Sequence, residues 1–182
     1  MVSFDSLPPA LQDEIRSHPA KLNLRTARTD LAAILNFCRG EPVDDGPAGS
    51  VGFCMGGRIA FQAASEFPGR FRANASLHGT FLVNDAPDSA HRLVPNMRGE
   101  FYCGFGALDR FATPEIIAAI DLAFQRQHAV AYRRNVHAGA NHGYALPDRD
   151  LHDRAATEAD WREIFAMFAR HLASSAPSGP IA

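Results

Sequence analysis

The chain alternates between two patterns of apolar and polar positions, one typical of buried strands and one typical of amphipathic helices. Short apolar runs between Gly, Pro and polar residues predict four strands, at residues 50–53, 73–77, 100–104 and 129–136. Apolar positions at helical spacing predict five helices, at residues 9–17, 26–39, 114–127, 158–172 and in a segment that follows the first strand and ends near residue 66. Strands that alternate with helices predict an α/β fold, a mostly parallel sheet with helices on both faces.

Each of the four longer predicted helices has an apolar or small face that could pack on a sheet. In chain order, these faces comprise Leu31, Ile34, Leu35 and Cys38; Ala60, Ala63 and Ala64; Ile117, Ile120 and Phe124; and Trp161, Phe165, Phe168 and Leu172. The intervals 84–97 and 139–153 are predicted to be loops, and the Ser-, Pro- and Gly-rich segment 173–182 a disordered tail. With no internal repeat, we expect one domain over 1–182, with 1–20 as an N-terminal extension.

Composition and charge narrow the function classes. The net charge of -2 argues against an electrostatic nucleic-acid surface. No apolar run approaches the length of a membrane-spanning helix, and the polar start, with Asp5, Asp13 and Glu14, does not resemble a signal peptide. Three irregularly spaced cysteines argue against a disulfide framework or a cysteine zinc site, so we expect a cytoplasmic protein. No motif indicates a cofactor.

The junction of the first strand and the next helix carries the strongest chemical signal. Gly52-Phe53-Cys54-Met55-Gly56-Gly57 is a G-x-nucleophile-x-G turn with cysteine in place of the serine of lipases and esterases. We expect strained backbone at Cys54, and close packing that a side chain on Gly52 or Gly56 would disrupt. A thiol beside a helix N-terminus is favoured as thiolate. The alternative is a buried core cysteine in an ordinary turn.

Two further polar residues follow strands in the same way. Asp109 comes after the third predicted strand and His142 after the fourth. Ligands bind at the carboxyl ends of parallel strands, where these residues would meet Cys54. The order nucleophile, acid, histidine is that of the α/β-hydrolases. Taken singly, Asp109 could be a helix N-cap and His142 an exposed loop residue.

These motifs resemble the dienelactone hydrolase family of α/β-hydrolases, over roughly residues 23–172. The likeness rests on residues 52–58, on Gly-x-x-Asp at 106–109 and on Asn-His-Gly-Tyr at 141–144. It implies a triad of Cys54, Asp109 and His142 that cleaves a small ester or lactone through a thioester, with the Met55 amide as the first oxyanion donor.

The chain departs from the family pattern in its first half. Family members usually carry several strands before the helix that precedes the elbow, where this chain has about twenty residues. The second oxyanion donor normally comes from that half, and no residue here matches it. In dienelactone hydrolase an arginine follows the histidine by four residues, a position occupied by Leu146. Dienelactone is therefore a poor guess for the substrate.

The first predicted strand would lie at a sheet edge if no strand precedes it. An exposed apolar edge strand favours unwanted pairing. We therefore expect that residues 1–20 cover this edge or that a second subunit pairs with it, which would give a homo-oligomer.

Six residues near the motifs are candidates for the substrate-binding wall: Phe53, Arg58, His78, Phe105, Phe111 and Tyr144. For His78, structural packing is an equal alternative. His137 and His142 have no third ligand at suitable spacing, so no metal site is expected. Cys103 is expected in the core.

Two other functions compete with the ester hydrolase. A class I glutamine amidotransferase also has a Gly-x-Cys-x-Gly turn, but it places a glutamate two residues after the histidine, where this chain has Tyr144. A shortened hydrolase that keeps its triad but serves as a binding or assembly module is the second. Loss of one oxyanion donor costs about 10²- to 10³-fold in rate, so slow turnover could persist.

Overall fold

The computed structural model describes residues 6–21, 24–41, 43 and 46–172. The predicted disordered tail, 173–182, lies outside these residues. The chain divides into two compact units, Met1–Val43 and Asp44–Ala182. A single domain over 1–182 stays a prediction.

The first unit consists of two helices. Helix α1 spans Pro9–Lys21 and ends four residues later than predicted, since it continues through Pro19 at the expense of one backbone hydrogen bond. Helix α2 spans Leu24–Cys38. Ile34 was predicted on its apolar face, but this side chain is 57% exposed.

The second unit contains a sheet of four parallel strands in the order β1-β2-β3-β4. The strands are β1 (Ala48–Phe53), β2 (Phe71–Leu77), β3 (Gly99–Gly106) and β4 (Val130–His137), which confirms the four predicted strands. Strand β1 lies at one edge of the described sheet, as predicted. Its cover by residues 1–20 or by a second subunit stays a prediction.

Four helices connect or follow these strands: α3 (Met55–Glu66), α4 (Ala90–Leu93), α5 (Pro114–Gln125) and α6 (Arg154–His171). Helix α4 and a 3₁₀ turn at Val94–Asn96 lie in the predicted loop 84–97, so that prediction was wrong. Proline at 95 suits the first turn of a helix, whereas the prediction used it as a sign of a loop. Helix α6 begins four residues earlier than predicted because the Asp153 carboxylate accepts the Ala156 amide and caps it.

Helices cover both faces of this sheet. Helices α3, α4 and α5 pack on one face, in a core that includes Phe61, Phe101, Cys103, Phe105, Ile117, Ile120 and Phe124. Helix α6 packs on the other, in a core that includes Ala73, Ala75, Leu77, Tyr102, Tyr144, Ile164 and Met167. The small face predicted for α3 (Ala60, Ala63 and Ala64) and the apolar face predicted for α5 are buried.

The predicted apolar face of α6 needs correction. Its buried positions are Ala156, Thr157, Asp160, Ile164 and Met167. The predicted stripe of Trp161, Phe165, Phe168 and Leu172 lies on the flank, where Phe165 is 62% exposed and the other three are half-buried. Hydrophobic periodicity missed the buried face because a carboxylate lies in its middle.

Candidate active site

Cys54 lies between the end of β1 and the first residue of α3. Its φ of 55° and ψ of -117° are strained for a non-glycine residue, as expected for an elbow. Three backbone hydrogen bonds hold it: its amide donates to Leu77 (3.1 Å), and its carbonyl accepts from Gly57 (3.0 Å) and Thr80 (3.1 Å). The surrounding chain therefore fixes the strained conformation that places the thiol at the carboxyl end of the sheet.

The elbow requires glycine at two positions, one of which differs from the prediction. A Cβ on Gly52 would lie 1.9 Å from the Gly56 carbonyl oxygen. A Cβ on Gly57 would lie 2.4 Å from Ser76 Oγ and 2.9 Å from Gly79 Cα, where α3 approaches β2. A Cβ on Gly56 would meet no atom within 4 Å, so the predicted clash there was wrong. The Gly56 backbone, rather than its missing side chain, is what crowds Gly52.

The structure brings Cys54, Asp109 and His142 together. His142 Nε2 lies 3.2 Å from Cys54 Sγ, and its Nδ1 lies 2.9 Å from Asp109 Oδ2. Asp109 is buried, and its other oxygen accepts the Phe111 amide at 2.8 Å. Asp109 is therefore oriented from both oxygens, and the imidazole bridges carboxylate and thiol in a geometry suited to nucleophilic catalysis.

Backbone hydrogen bonds between the loops after β3 and β4 explain why Asp109 and His142 meet. The Ala107 amide donates to the His137 carbonyl (2.9 Å), and the Leu108 amide donates to the Ala140 carbonyl (3.0 Å). His142 itself lies in a turn that the Tyr144 amide closes on the Asn141 carbonyl at 3.2 Å. The order of residues along the chain could not predict this backbone pairing.

A cavity of about 250 Å³ opens beside the thiol. Its wall comprises Cys54, His78, His142, Gly143, Leu146, Arg149, Asp150 and Leu151. The last five belong to the predicted loop 139–153 and were not among the predicted wall residues. Their position just after His142 in the chain was the available signal, since loop residues that follow a candidate site residue often line the same site.

Of the six predicted wall residues, only His78 lines this cavity. Phe105 and Tyr144 are fully buried in the two cores, so the structure does not place them on the wall. The Phe111 ring packs edge-on against His142, with centroids 5.0 Å apart. Phe53 packs beside His78 at 5.9 Å and Arg58 is half-buried, and neither reaches the cavity wall.

His78 is the most unusual polar group of the site. It is fully buried with φ 39°, and neither ring nitrogen has a hydrogen-bond partner among the residues that the structure describes. Its ring packs edge-on against His142 at 5.1 Å. Burial, with the nearby His142 adding to it, lowers the pKa of His78 to about 4, so the ring is neutral at pH 7.

The Met55 amide belongs to the first residue of α3, so it has no acceptor within the helix. It lies next to Cys54 in the chain, where an oxyanion would form. Among the described residues, no group of three or more His, Cys, Asp or Glu side chains could hold a metal ion. No helix in the described part of the chain is long and apolar enough to cross a membrane.

Known proteins were compared with this chain to identify its fold and its family. A curated Synechocystis protein, assigned as a carboxymethylenebutenolidase, is 28% identical over 151 residues, which cover 79% of this chain and 59% of that protein. The crystal structure of a Klebsiella pneumoniae protein, assigned as a dienelactone hydrolase, superposes with a TM-score of 0.76 at 19% identity, over 84% of this chain and 64% of that one. A dienelactone hydrolase-like promiscuous phosphotriesterase from metagenomic libraries has a TM-score of 0.66 at 22% identity, over 80% and 61%.

The two solved structures show the α/β-hydrolase fold. This chain spans about three fifths of the length of the curated relative. The sequence profile of the dienelactone hydrolase family matches residues 11–172, which sets aside the amidotransferase alternative. The chain belongs to the dienelactone hydrolase family.

Proposed function

We propose that the chain is a hydrolase of small esters or lactones, with Cys54 as nucleophile, His142 as general base and acid, and Asp109 as the group that orients His142. The observation that supports it best is the continuous contact from Asp109 through His142 to Cys54, at 2.9 and 3.2 Å. A buried carboxylate on one imidazole nitrogen and a thiol on the other is the arrangement that activates a nucleophile.

The reaction would proceed in two halves. His142 takes the thiol proton, and the thiolate attacks the carbonyl carbon to form a tetrahedral oxyanion. The Met55 amide donates to this oxyanion, aided by the N-terminus of α3. When the intermediate collapses, the C–O bond breaks, the alcohol leaves with the proton from His142, and a thioester remains on Cys54. His142 then deprotonates water, which attacks the thioester and releases the acid and the thiol.

The cavity supports a small substrate. About 250 Å³ is below the usual range for drug-sized ligands, about 300–1,000 Å³. Leu146 and Leu151 offer apolar contact, while Arg149 and Asp150 offer opposite charges on the same wall. Neutral His78 packs against His142 and closes this side of the cavity with an uncharged ring.

The proposed compartment is the cytoplasm. Cys54 must stay reduced to act as a nucleophile, and all three cysteines of the chain are free thiols. A reducing compartment protects such thiols from oxidation. Partners other than the small-molecule substrate are not needed for the reaction. A second copy paired along β1 stays a proposal, for which size-exclusion chromatography is the measurement.

A panel of aryl esters and lactones tests this function. Cys54→Ala and Cys54→Ser should lose turnover by about 10³-fold or more, because the thiolate is the reacting atom. Cys38→Ala, which removes a thiol from α2, is the matched control and should keep the wild-type rate. Unchanged turnover in Cys54→Ala would contradict the assignment. Binding of the same esters by wild type without any turnover would instead favour the binding-module alternative.

A further inference from the structure

A second buried carboxylate, that of Asp160, lies on the face of the sheet that α6 covers. Asp160 has no exposed surface, and three donors from three separate segments converge on it. The Tyr102 hydroxyl donates to Oδ1 at 2.6 Å, His137 Nε2 lies 2.7 Å from the same oxygen, and the Tyr144 hydroxyl donates to Oδ2. No step of the proposed reaction uses this cluster.

Two of the three donors to Asp160 are phenols that stay protonated. Burial and the nearby Asp160 raise the pKa of Tyr144 above its ordinary value, and the same causes act on Tyr102. Both phenols therefore keep the protons that they donate. Gly104 makes room for the contact, since a Cβ there would lie 2.4 Å from the Tyr144 hydroxyl and 2.5 Å from Asp160 Oδ2.

Two of the three donors, Tyr144 and His137, are connected to the loops that carry the proposed triad. Tyr144 ends the turn that carries His142, and its carbonyl accepts from the Asp153 amide (3.0 Å) and the Thr157 hydroxyl (3.1 Å) at the start of α6. The Tyr144 ring also packs edge-on against His78 at 5.5 Å, and His78 packs against His142.

His137, the second of these donors, is connected to the loop that carries Asp109. Its carbonyl accepts the Ala107 amide, two residues before Asp109. Tyr102, in contrast, lies in the middle of β3 and has no such link to either loop.

We propose that Asp160 is a positioning residue for this site: through Tyr144 and His137 it holds the turn of His142 and the loop of Asp109 in the geometry that lets the imidazole reach the thiol. The inference rests on the proposed function for its effect on turnover. Its effect on the imidazole and thiol can be measured without any substrate.

The pair Tyr144→Phe and Tyr102→Phe tests the proposal. Each variant removes one hydroxyl from the same carboxylate, but only Tyr144 belongs to the loop that carries His142. We expect similar losses in the urea midpoint of unfolding. Turnover should fall by about tenfold or more in Tyr144→Phe and clearly less in Tyr102→Phe, because small displacements of a catalytic group have large effects on rate.

Two substrate-free measurements distinguish positioning from stability. The ¹⁵N shifts of the His142 ring, and the pH profile of Cys54 alkylation in a Cys38→Ala background, should change in Tyr144→Phe and stay close to wild type in Tyr102→Phe. Equal changes in the two variants, or no change in either, would overturn the proposal. Asp160→Asn serves as a further variant and should resemble Tyr144→Phe if it folds.

The outcomes also separate this inference from the proposed function. If wild type hydrolyses none of the esters while the ring shifts still differ between the two variants, the proposed function fails and the positioning role stands. If wild type is active and both variants behave alike, the function stands and the positioning role fails.

Discussion

The two ends of the sheet hold their buried carboxylates in different ways. At the amino end, Glu100 of β3 is almost fully buried and is surrounded by basic groups. Arg170 donates to both of its oxygens (2.7 and 3.1 Å), with His171 at 3.0 Å and Arg133 at 3.3 Å. At the carboxyl end, Asp109 has no basic group other than His142 within ion-pair distance among the described residues.

Electrostatics reflect this contrast. Burial alone would raise the pKa of Glu100, but hydrogen bonds from Arg170 and His171 outweigh it and lower the pKa below its usual value. At the carboxyl end, both ring nitrogens of His78 lack a hydrogen-bond partner within the described ranges, and Cys54 has a strained backbone. Unsatisfied polar groups and strain are typical of functional sites, whereas a fully paired charge cluster stabilises the fold. We therefore expect substitutions at the amino end to act on stability and substitutions at the carboxyl end to act on the proposed chemistry.

Asp109→Asn should show the largest difference between its effect on turnover and its effect on stability. The amide cannot hold the imidazole in the required tautomer, so turnover should fall by about 10²-fold or more, while the fold persists. Ester hydrolysis and urea unfolding measure the two effects. Asp121→Asn, which loses an ion pair with Arg134 on the surface, is the matched control and should keep turnover. A wild-type turnover rate in Asp109→Asn would contradict the proposed chemical role of the carboxyl end.

Glu100→Gln should have the opposite profile. Loss of the carboxylate should cost about 1.5–3 kcal/mol in the free energy of unfolding, the size expected for hydrogen bonds to a charged group, because the basic partners are partly exposed. Turnover at 25 °C should stay near wild type because the cluster lies at the far end of the strands. Glu158→Gln, which loses the exposed ion pair with Arg154, should change stability much less. A large loss of turnover in folded Glu100→Gln would contradict the division between the ends.

The pH dependence of stability sharpens the same contrast. The folded pKa of Glu100 lies below its unfolded value of about 4.5, so its contribution to stability is complete above pH 4.5 and is lost as the pH falls through the folded pKa. Wild type should therefore lose stability in acid faster than Glu100→Gln does. Urea midpoints from pH 7 to pH 3 measure this difference, and parallel curves would contradict it.

Gly57→Ala and Gly56→Ala compare two neighbouring positions at the carboxyl end. The first adds a Cβ 2.4 Å from Ser76 Oγ and should cost about 1–3 kcal/mol in unfolding free energy, together with activity. The second adds a Cβ that meets no atom within 4 Å. Because Gly56 lies inside a helix, this change should be neutral or should stabilise the fold by about 0.4–1 kcal/mol. Thermal unfolding and ester hydrolysis distinguish them. Equal effects would mean that the packing of α3 on β2 does not limit the elbow.

His78→Gln should change how the stability of the fold depends on pH. The pKa of His78 falls from 6.5 to about 4 on folding, so its contribution to stability is present above pH 6.5 and is lost as the pH falls towards 4. Each unit in that window changes the unfolding free energy by up to about 1.4 kcal/mol. The variant should lose this part of the pH dependence, and an unchanged slope between pH 6.5 and 4 would contradict the burial of a neutral ring.

The sequence by itself determined the four strands, the elbow and the order Cys54, Asp109, His142. Apolar runs, glycines and the positions after strands are local signals, and a parallel sheet brings its carboxyl ends to one edge. The family resemblance followed from the same short motifs. The ends of the elements and the short helix α4 were less predictable. The start of α6, for example, depends on the cap that the single residue Asp153 provides.

Only the tertiary structure decided which side chains surround the thiol. Tyr144 and Phe105 were predicted to line the substrate-binding wall but are buried in the two cores. Arg149 and Asp150 line the cavity, and they belong to a loop that has no hydrophobic periodicity. Asp160 lies 58 residues from Tyr102 in the chain, and nothing near it in sequence predicts a buried carboxylate. These outcomes depend on contacts between distant segments, which form only when helices and loops pack on the sheet.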